Sequence, residues 1–269
     1  MLVDSHCHLD FPAFADDLDA VVERARAAGV GRMVTICTRL HALDRTLAIA
    51  KRYDDVFAAI GVHPHEAGDE GDVAVDRLVE IARHPKVVGI GETGLDYFYE
   101  HSARDRQQAS FRTHIRAARA AGLPLVVHTR DADADTARIL REEGAGQGGD
   151  RPLRGVLHCF SSGRALAEAA VGFGFYVSLS GIFTFKRSDD LRAIVRDLPM
   201  DRLLVETDSP YLSPEPKRKT RRNEPALVVH TAARLAEVKG LGMAETARRT
   251  TDNFFALFDK VPVPEPSCA

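Results

Sequence analysis

A closed parallel (β/α)8 barrel, the TIM-barrel member of the α/β class, is the fold this sequence predicts. Three observations predict it. Apolar strand-like runs alternate with helix-like segments eight times along the chain. The length of 269 residues suits such a barrel, which typically takes about 250 residues as one domain. No G-x-G-x-x-G follows the first apolar run, so the usual mark of a doubly wound open sheet is missing.

The elements follow in order. Leu2 and Val3 open the first strand, and the polar run Asp4-Ser5-His6-Cys7-His8 lies at its carboxyl end. Residues Asp16 to Ala28 carry Leu18, Val21, Val22 and Ala25 at helical spacing and stop at Gly29. Arg32 to Cys37 and Ala42 to Arg52 give the second strand and helix. Val56 to Val62 and Val73 to Arg83 give the third pair, and His63-Pro64-His65 follows their strand. Val87 to Gly91 makes a fourth strand ending at Glu92, before a long helix from Ala103 to Ala121 that Gly122 stops. Pro124 to Val127 ends at His128, ahead of a helix over Ala134 to Glu143. The glycine-rich run from Gly144 to Asp150 reads as a flexible surface loop. Gly155 to Leu157 ends at His158, ahead of a helix over Arg164 to Val171. Phe175 to Leu179 and Asp189 to Leu198 form the seventh unit. Leu203 to Val205 leads into Glu206-Thr207-Asp208. Helices over Pro225 to Lys239 and Met243 to Phe258 complete a single domain spanning residues 1–260. The proline-rich tail, 261–269, is expected to be disordered.

Composition narrows the class. With 45% hydrophobic and 28% charged residues the chain is globular, and a net charge of −3 gives no general attraction to nucleic acid. The four cysteines, Cys7, Cys37, Cys159 and Cys268, contain no C-x-x-C pair, which argues against a zinc ribbon or redox motif. No apolar run approaches a membrane span, and no basic leader precedes the first strand. The expectation is a soluble, cytoplasmic monomer.

Chemistry falls at the strand ends: His6 and His8, His63, Glu92, His128, His158 and Asp208. In a barrel these ends converge on one face. Side chains alternate along a strand, so His6 and His8 share a direction. A lone strand-end histidine is ordinarily a hydrogen-bonding core residue, but Glu92 after an apolar strand is a buried charge that needs a cation. Recurrence at equivalent positions makes a metal site the better reading. The ligand count suggests two ions, with His6, His8 and Asp208 on one, His128 and His158 on the other, and Glu92 between them. Imidazole and carboxylate donors suit zinc, manganese or iron, and magnesium where water fills the shell. Two such ions about 3.5–4 Å apart favour hydrolysis, with Asp208 placed to take a proton from the attacking water.

The ordered motifs resemble the TatD family of metal-dependent hydrolases along nearly the whole chain. They are Asp4-Ser5-His6-Cys7-His8-Leu9-Asp10, Gly61-Val62-His63-Pro64-His65 and Gly91-Glu92-Thr93-Gly94-Leu95-Asp96-Tyr97. Next come Val127-His128-Thr129-Arg130-Asp131-Ala132, Leu157-His158-Cys159-Phe160-Ser161 and Ser180-Gly181-Ile182-Phe183-Thr184-Phe185-Lys186. Glu206-Thr207-Asp208-Ser209-Pro210-Tyr211-Leu212 and Asn253-Phe254-Phe255 close the set. The resemblance implies a barrel of the metal-dependent hydrolase type and deoxyribonuclease activity, often 3′-to-5′ on single strands. It also implies His6, His8, Glu92, His128, His158 and Asp208 as metal ligands. Ser162, where the family often has glycine, and the glycine-rich loop depart from the pattern and bear on substrate fit.

Other groups have two readings each. His63 contacts a substrate phosphate or supports a ligand, while His65 is exposed or structural. Arg130 holds a phosphate or pairs with Asp131 or Asp133. Glu206 orients a histidine ligand, and Cys7 and Cys159 pack in the core. Lys217-Arg218-Lys219-Thr220-Arg221-Arg222 is either a solvated loop or a phosphate-backbone contact. Tyr97, Phe98 and Tyr99 stack on bases or merely pack over the barrel mouth. The leading expectation is a deoxyribonuclease using two divalent ions (Mg, Mn or Zn). An ester or amide hydrolase such as an aminoacyl-tRNA deacylase is the alternative. A nucleic-acid-binding protein with a structural metal fits less well, because structural zinc sites are closed and cysteine-rich.

Overall fold

In the computed structural model, residues 1–149, 152–220 and 222–264 are described. The chain runs β1 (Leu2–Cys7), α1 (Leu18–Ala27), β2 (Val30–Cys37), α2 (Leu43–Arg52), β3 (Val56–Ile60), α3 (Val75–Ala82), β4 (Val87–Asp96) and α4 (Arg104–Ala121). It continues β5 (Leu125–Arg130), α5 (Asp133–Glu142), β6 (Gly155–Leu157), α6 (Arg164–Gly172), β7 (Tyr176–Leu179), α7 (Asp189–Asp197) and β8 (Leu203–Val205). Helices α8 (Val228–Lys239) and α9 (Met243–Leu257) follow. The strands pair in parallel in sequence order from β1 to β8.

Backbone bonds bring the last strand end back to the first. The Asp208 N–H donates to His6 O (2.9 Å) and the His8 N–H to Ser209 O (2.8 Å). The Ser5 hydroxyl adds a bond to Val205 O (3.1 Å). Burial divides into two clusters. One joins Val34, Ile36, Phe57, Val126, Val156 and Leu204 from the strands with Phe254 and Leu257 of α9 and Phe258 just after it. The other joins the remaining strand residues to the surrounding helices. The first therefore fills the barrel and is closed by α9 at the end away from the polar strand termini.

Three strands extend past their expected ends. β1 continues through Asp4, Ser5 and His6, all buried, because these polar groups find partners across the barrel closure. β4 runs on through Glu92 to Asp96. Gly94 allows this: its φ is +139°, and a Cβ there would lie 2.0 Å from His128 O. Only glycine lets β4 lie so close to β5. β5 likewise includes His128 and Arg130. Pro225–Leu227 is a separate 3-10 turn ahead of α8, as proline's fixed φ allows.

The tail begins packed: Val261 is buried and Pro262 O accepts from Arg32 (3.1 Å). Residues 265–269 lie outside the described residues. The glycine-rich loop is also anchored at its start, with Ala145 buried and its N–H bonded to Leu140 O (2.8 Å). Asp150 lies outside the described residues. Cys7 and Cys37 are buried free thiols, and Cys7 Sγ lies 3.4 Å from Val34 O. No helix among the described residues is long and apolar enough to cross a membrane.

His114 of α4 fixes the approach to the third strand end. Its Nδ1–H donates to Ser110 O (2.7 Å) and its Nε2 accepts from the Val62 N–H (3.0 Å). Burial lowers its pKa from 6.5 to about 4. The unfolded chain therefore takes this proton first as pH falls. The stabilisation is full above the unfolded pKa and is lost as pH falls toward the folded one. Between pH 7 and 5 the loss amounts to roughly 2 kcal/mol. Comparing melts at these two pH values for the parent and His114→Gln should show that much less pH dependence in the variant. An unchanged dependence would remove His114 from this role.

Candidate metal centre

Ligand-capable atoms meet at the strand ends in two groups that face Glu92, and His6, His158 and Glu206 form a third metal-capable set. In the first, His6 Nε2 and His8 Nε2 are 3.3 Å apart. Asp208 Oδ1 is 3.3 Å from His8 Nε2 and 3.7 Å from His6 Nε2. In the second, Glu92 Oε1 is 2.7 Å from His158 Nε2, 3.0 Å from His128 Nδ1 and 3.4 Å from His63 Nε2. The other Glu92 oxygen, Oε2, lies 3.4 Å from His6 Nε2. Glu92 thus presents one oxygen to each group. His6 and His158 also stack, with centroids 3.9 Å apart and planes within 9°.

His63 stands inside this cluster, where it, Glu92 and His128 form a metal-capable group. Its Nδ1 accepts from the His65 N–H at 3.1 Å, which leaves Nε2 facing Glu92. Glu206 is buried beneath the site: Oε1 is 3.3 Å from His158 Nδ1 and accepts the Cys159 N–H at 2.6 Å. That contact turns His158 Nε2 toward Glu92. Cys159 Sγ packs against Ser180 Oγ (3.1 Å).

Two residues outside the predicted set hold the site. Asp96 Oδ2 lies 3.2 Å from His128 Nε2 and 2.9 Å from His65 Nε2, while Oδ1 accepts the Phe98 and Tyr99 N–H groups at 3.0 Å. Asp96 therefore sets the His128 ring and gives His65 a structural place. Four residues beyond Glu92 on one strand, it shares that residue's side, a signal lost when β4 is ended at Gly91. Asp4 accepts from Thr207 Oγ1 (2.6 Å) and the Thr207 N–H (2.9 Å), fixing the peptide ahead of Asp208.

Electrostatics follow from burial and neighbours. Burial would raise the Glu92 carboxyl, but His158, His63 and His128 hold it well below the usual carboxylate range. Asp208 is lowered the same way, with burial outweighed by His8 and His6. Burial lowers His158, yet Glu92 and Glu206 drive it well above an ordinary histidine. Burial raises Asp4 to about 8 despite its bonds to Thr207. Among the described residues no lysine or arginine pairs with Glu92 or Asp208, so histidines alone balance two carboxylates. The Nδ1 atoms of His6 and His8 have no partner among the described residues, so their Nε2 atoms carry the rings' contacts. Converging imidazole and carboxylate donors without a lysine or arginine fit divalent cations.

The rim differs from expectation in two places. The Arg130 guanidinium lies 3.9 Å from the Phe98 centroid and 4.7 Å from that of Tyr99. It pairs with neither Asp131 nor Asp133: it lies over the Phe98 and Tyr99 rings, and Asp133 accepts the Gly163 N–H (2.9 Å). Tyr97 turns away and bonds Asp135 (2.8 Å), whereas Phe98 and Tyr99 stay about half exposed. The basic segment is divided. Arg222 bonds Asp17 at 2.7 Å through both terminal nitrogens, Arg221 lies outside the described residues, and Lys217, Arg218 and Lys219 are exposed.

An eight-stranded parallel barrel with this donor set at its strand ends is a metal-dependent hydrolase. The family model described as TatD related DNase matches residues 3–259. A protein named uncharacterized metal-dependent hydrolase YcfH from Escherichia coli is 44% identical over 260 residues, covering 96% of this chain and 95% of its own. One named 3′-5′ ssDNA/RNA exonuclease TatD from Citrobacter koseri is 35% identical, covering 96% and 98%. The crystal structure of YJJV, a TatD homologue from Escherichia coli, superposes with a TM-score of 0.88 at 32% identity, covering 98% of both chains. The chain belongs to the TatD family.

Proposed function

We propose that the protein hydrolyses phosphodiester bonds of DNA, as a 3′-to-5′ exonuclease on single strands. The observation that carries this is Glu92, which turns one oxygen to each of two donor groups. His6, His8 and Asp208 would hold one divalent cation, His128 and His158 a second, with Glu92 shared. The cations supply Lewis acidity toward the phosphoryl oxygens and toward water. Glu206 and Asp96 keep His158 and His128 aimed. Asp208 is the more open of the two carboxylates, its side chain 13% exposed against 3% for Glu92. It is therefore the one placed to accept a proton from attacking water, and its lowered pKa keeps it in the accepting form. His63 borders the phosphate position beside Glu92. Arg130 offers donors to a neighbouring phosphate, and Phe98, about half exposed beside it, offers apolar ring surface to a base. The name of the Citrobacter relative supports the same substrate.

The test is shortening of a 3′- or 5′-labelled single strand by purified protein with magnesium or manganese. Ladders should shrink from the 3′ end, and Asp208→Asn should abolish them. An Asp208→Asn protein that cleaves like the parent defeats the assignment. Cleavage of an aminoacyl ester, with DNA left intact, would favour the deacylase alternative.

A further inference from the structure

We propose that the loops after β7 and β8 form a second subsite, which grips the phosphodiester backbone of the strand running away from the scissile bond. This rests on the nuclease reading of the metal centre. The two loops flank an open cavity of about 600 Å³ walled by Phe185, Lys186 and Arg187 from one loop and by Glu215 and Arg218 from the other. They sit at the same barrel end as Asp208, which opens the loop that carries Arg218.

Lys186 and Arg187, like Lys217, Arg218 and Lys219, are exposed, and among the described residues none of these five pairs with a carboxylate. Nearby arginines are bound otherwise: Arg192 pairs with Asp189, Arg164 with Asp197 and Arg222 with Asp17. These five cations lie along two adjacent loops. Within the cavity wall, Lys186, Arg187 and Arg218 outweigh the single carboxylate of Glu215, which favours an anion.

The walls are also held in place. Arg192 Nη1 donates to Phe183 O (2.9 Å) and Phe185 O (2.8 Å), and Ser188 Oγ donates to Ile182 O (2.7 Å). The Glu215 N–H donates to Thr184 Oγ1 (2.8 Å), joining the loops. Gly181 permits that closeness, since a Cβ there would lie 1.8 Å from Leu212 O. The Arg218 guanidinium lies 3.6 Å from the Phe185 centroid. It covers a ring face that a base would otherwise use, so the wall offers charge and donors rather than a stacking surface. Such a site reads backbone and is indifferent to sequence.

β4 and β8 stand on opposite sides of an eight-stranded ring. A strand bound across the mouth therefore passes from the Phe98–Tyr99 rim, over Glu92 and Asp208, to this cavity.

The test is anisotropy of a labelled single strand of about a dozen nucleotides, with chelator present so that it stays intact. The full chain is compared with the Lys186→Ala/Arg218→Ala double variant. The variant should bind roughly ten-fold more weakly at low salt. Its slope of log affinity against log salt should shrink by about 1.4, at about 0.7 per lost phosphate contact. The loss should be smaller for a dinucleotide. Equal loss on the dinucleotide would make the cavity a site for a lone phosphate and overturn the strand reading. Unchanged affinity and slope would overturn the subsite while leaving cleavage by the parent intact. A parent that binds with this salt dependence but never cleaves with any divalent cation would defeat the nuclease reading alone.

Discussion

Replacing Glu92 with glutamine is expected to lower hydrolysis by roughly 10³-fold or more. The substitution keeps the shape and removes the charge. In the native protein Oε1 faces His158, His128 and His63 and Oε2 faces His6, at 2.7 to 3.4 Å. A glutamine amide must turn its nitrogen toward one of these groups, setting a donor where a lone pair belongs. Both donor groups are damaged by one change, because the same side chain serves both. Rates should be measured with single-stranded substrate at saturating manganese, with circular dichroism to confirm the fold. Turnover within a few-fold of the parent would mean that Glu92 is only a packing residue.

The second large effect is expected from the joint substitution His6→Ala/His8→Ala. Asp208 would then keep no imidazole within reach on its own side, because among the described residues the rings beside its carboxylate are these two. On the proposed two-cation reading, the cation content should fall toward one per chain, with the second position only partly filled since Glu92 loses its His6 contact. Activity should fall by orders of magnitude while the barrel persists. Barrel closure does not need these rings: the Asp208 N–H bonds the His6 carbonyl, and the His8 N–H bonds Ser209 O. A variant that retains the parental cation content would show that the first group holds nothing.

Much of this architecture could be read from the chain, and the reasons are local. His6 and His8 lie two apart at a strand end, and Glu92 is a charge following an apolar run. Each signal survives in one dimension. Asp96 and Asp4 were missed because both seemed to lie beyond their strands. The apolar run that marks the fourth strand ends at Gly91, whereas Gly94 permits β4 to continue against β5. Asp4 carries no local signal of its role because its partner, Thr207, is 203 residues away. Arg222 looked like part of a basic patch for the same reason, since Asp17 lies 205 residues distant. Arg130 was given two partners, a phosphate and a carboxylate, and the stacking on Phe98 and Tyr99 was not among them. Contacts fixed by the closed barrel had no trace in local pattern, while contacts fixed by spacing along one strand did.

The most direct measurement is anomalous scattering from crystals of the parent grown with manganese. Two peaks are predicted at the strand ends, one against His6, His8 and Asp208 and one against His128 and His158, with Glu92 between them. A crystal with manganese bound elsewhere, and none touching Glu92, would contradict the account.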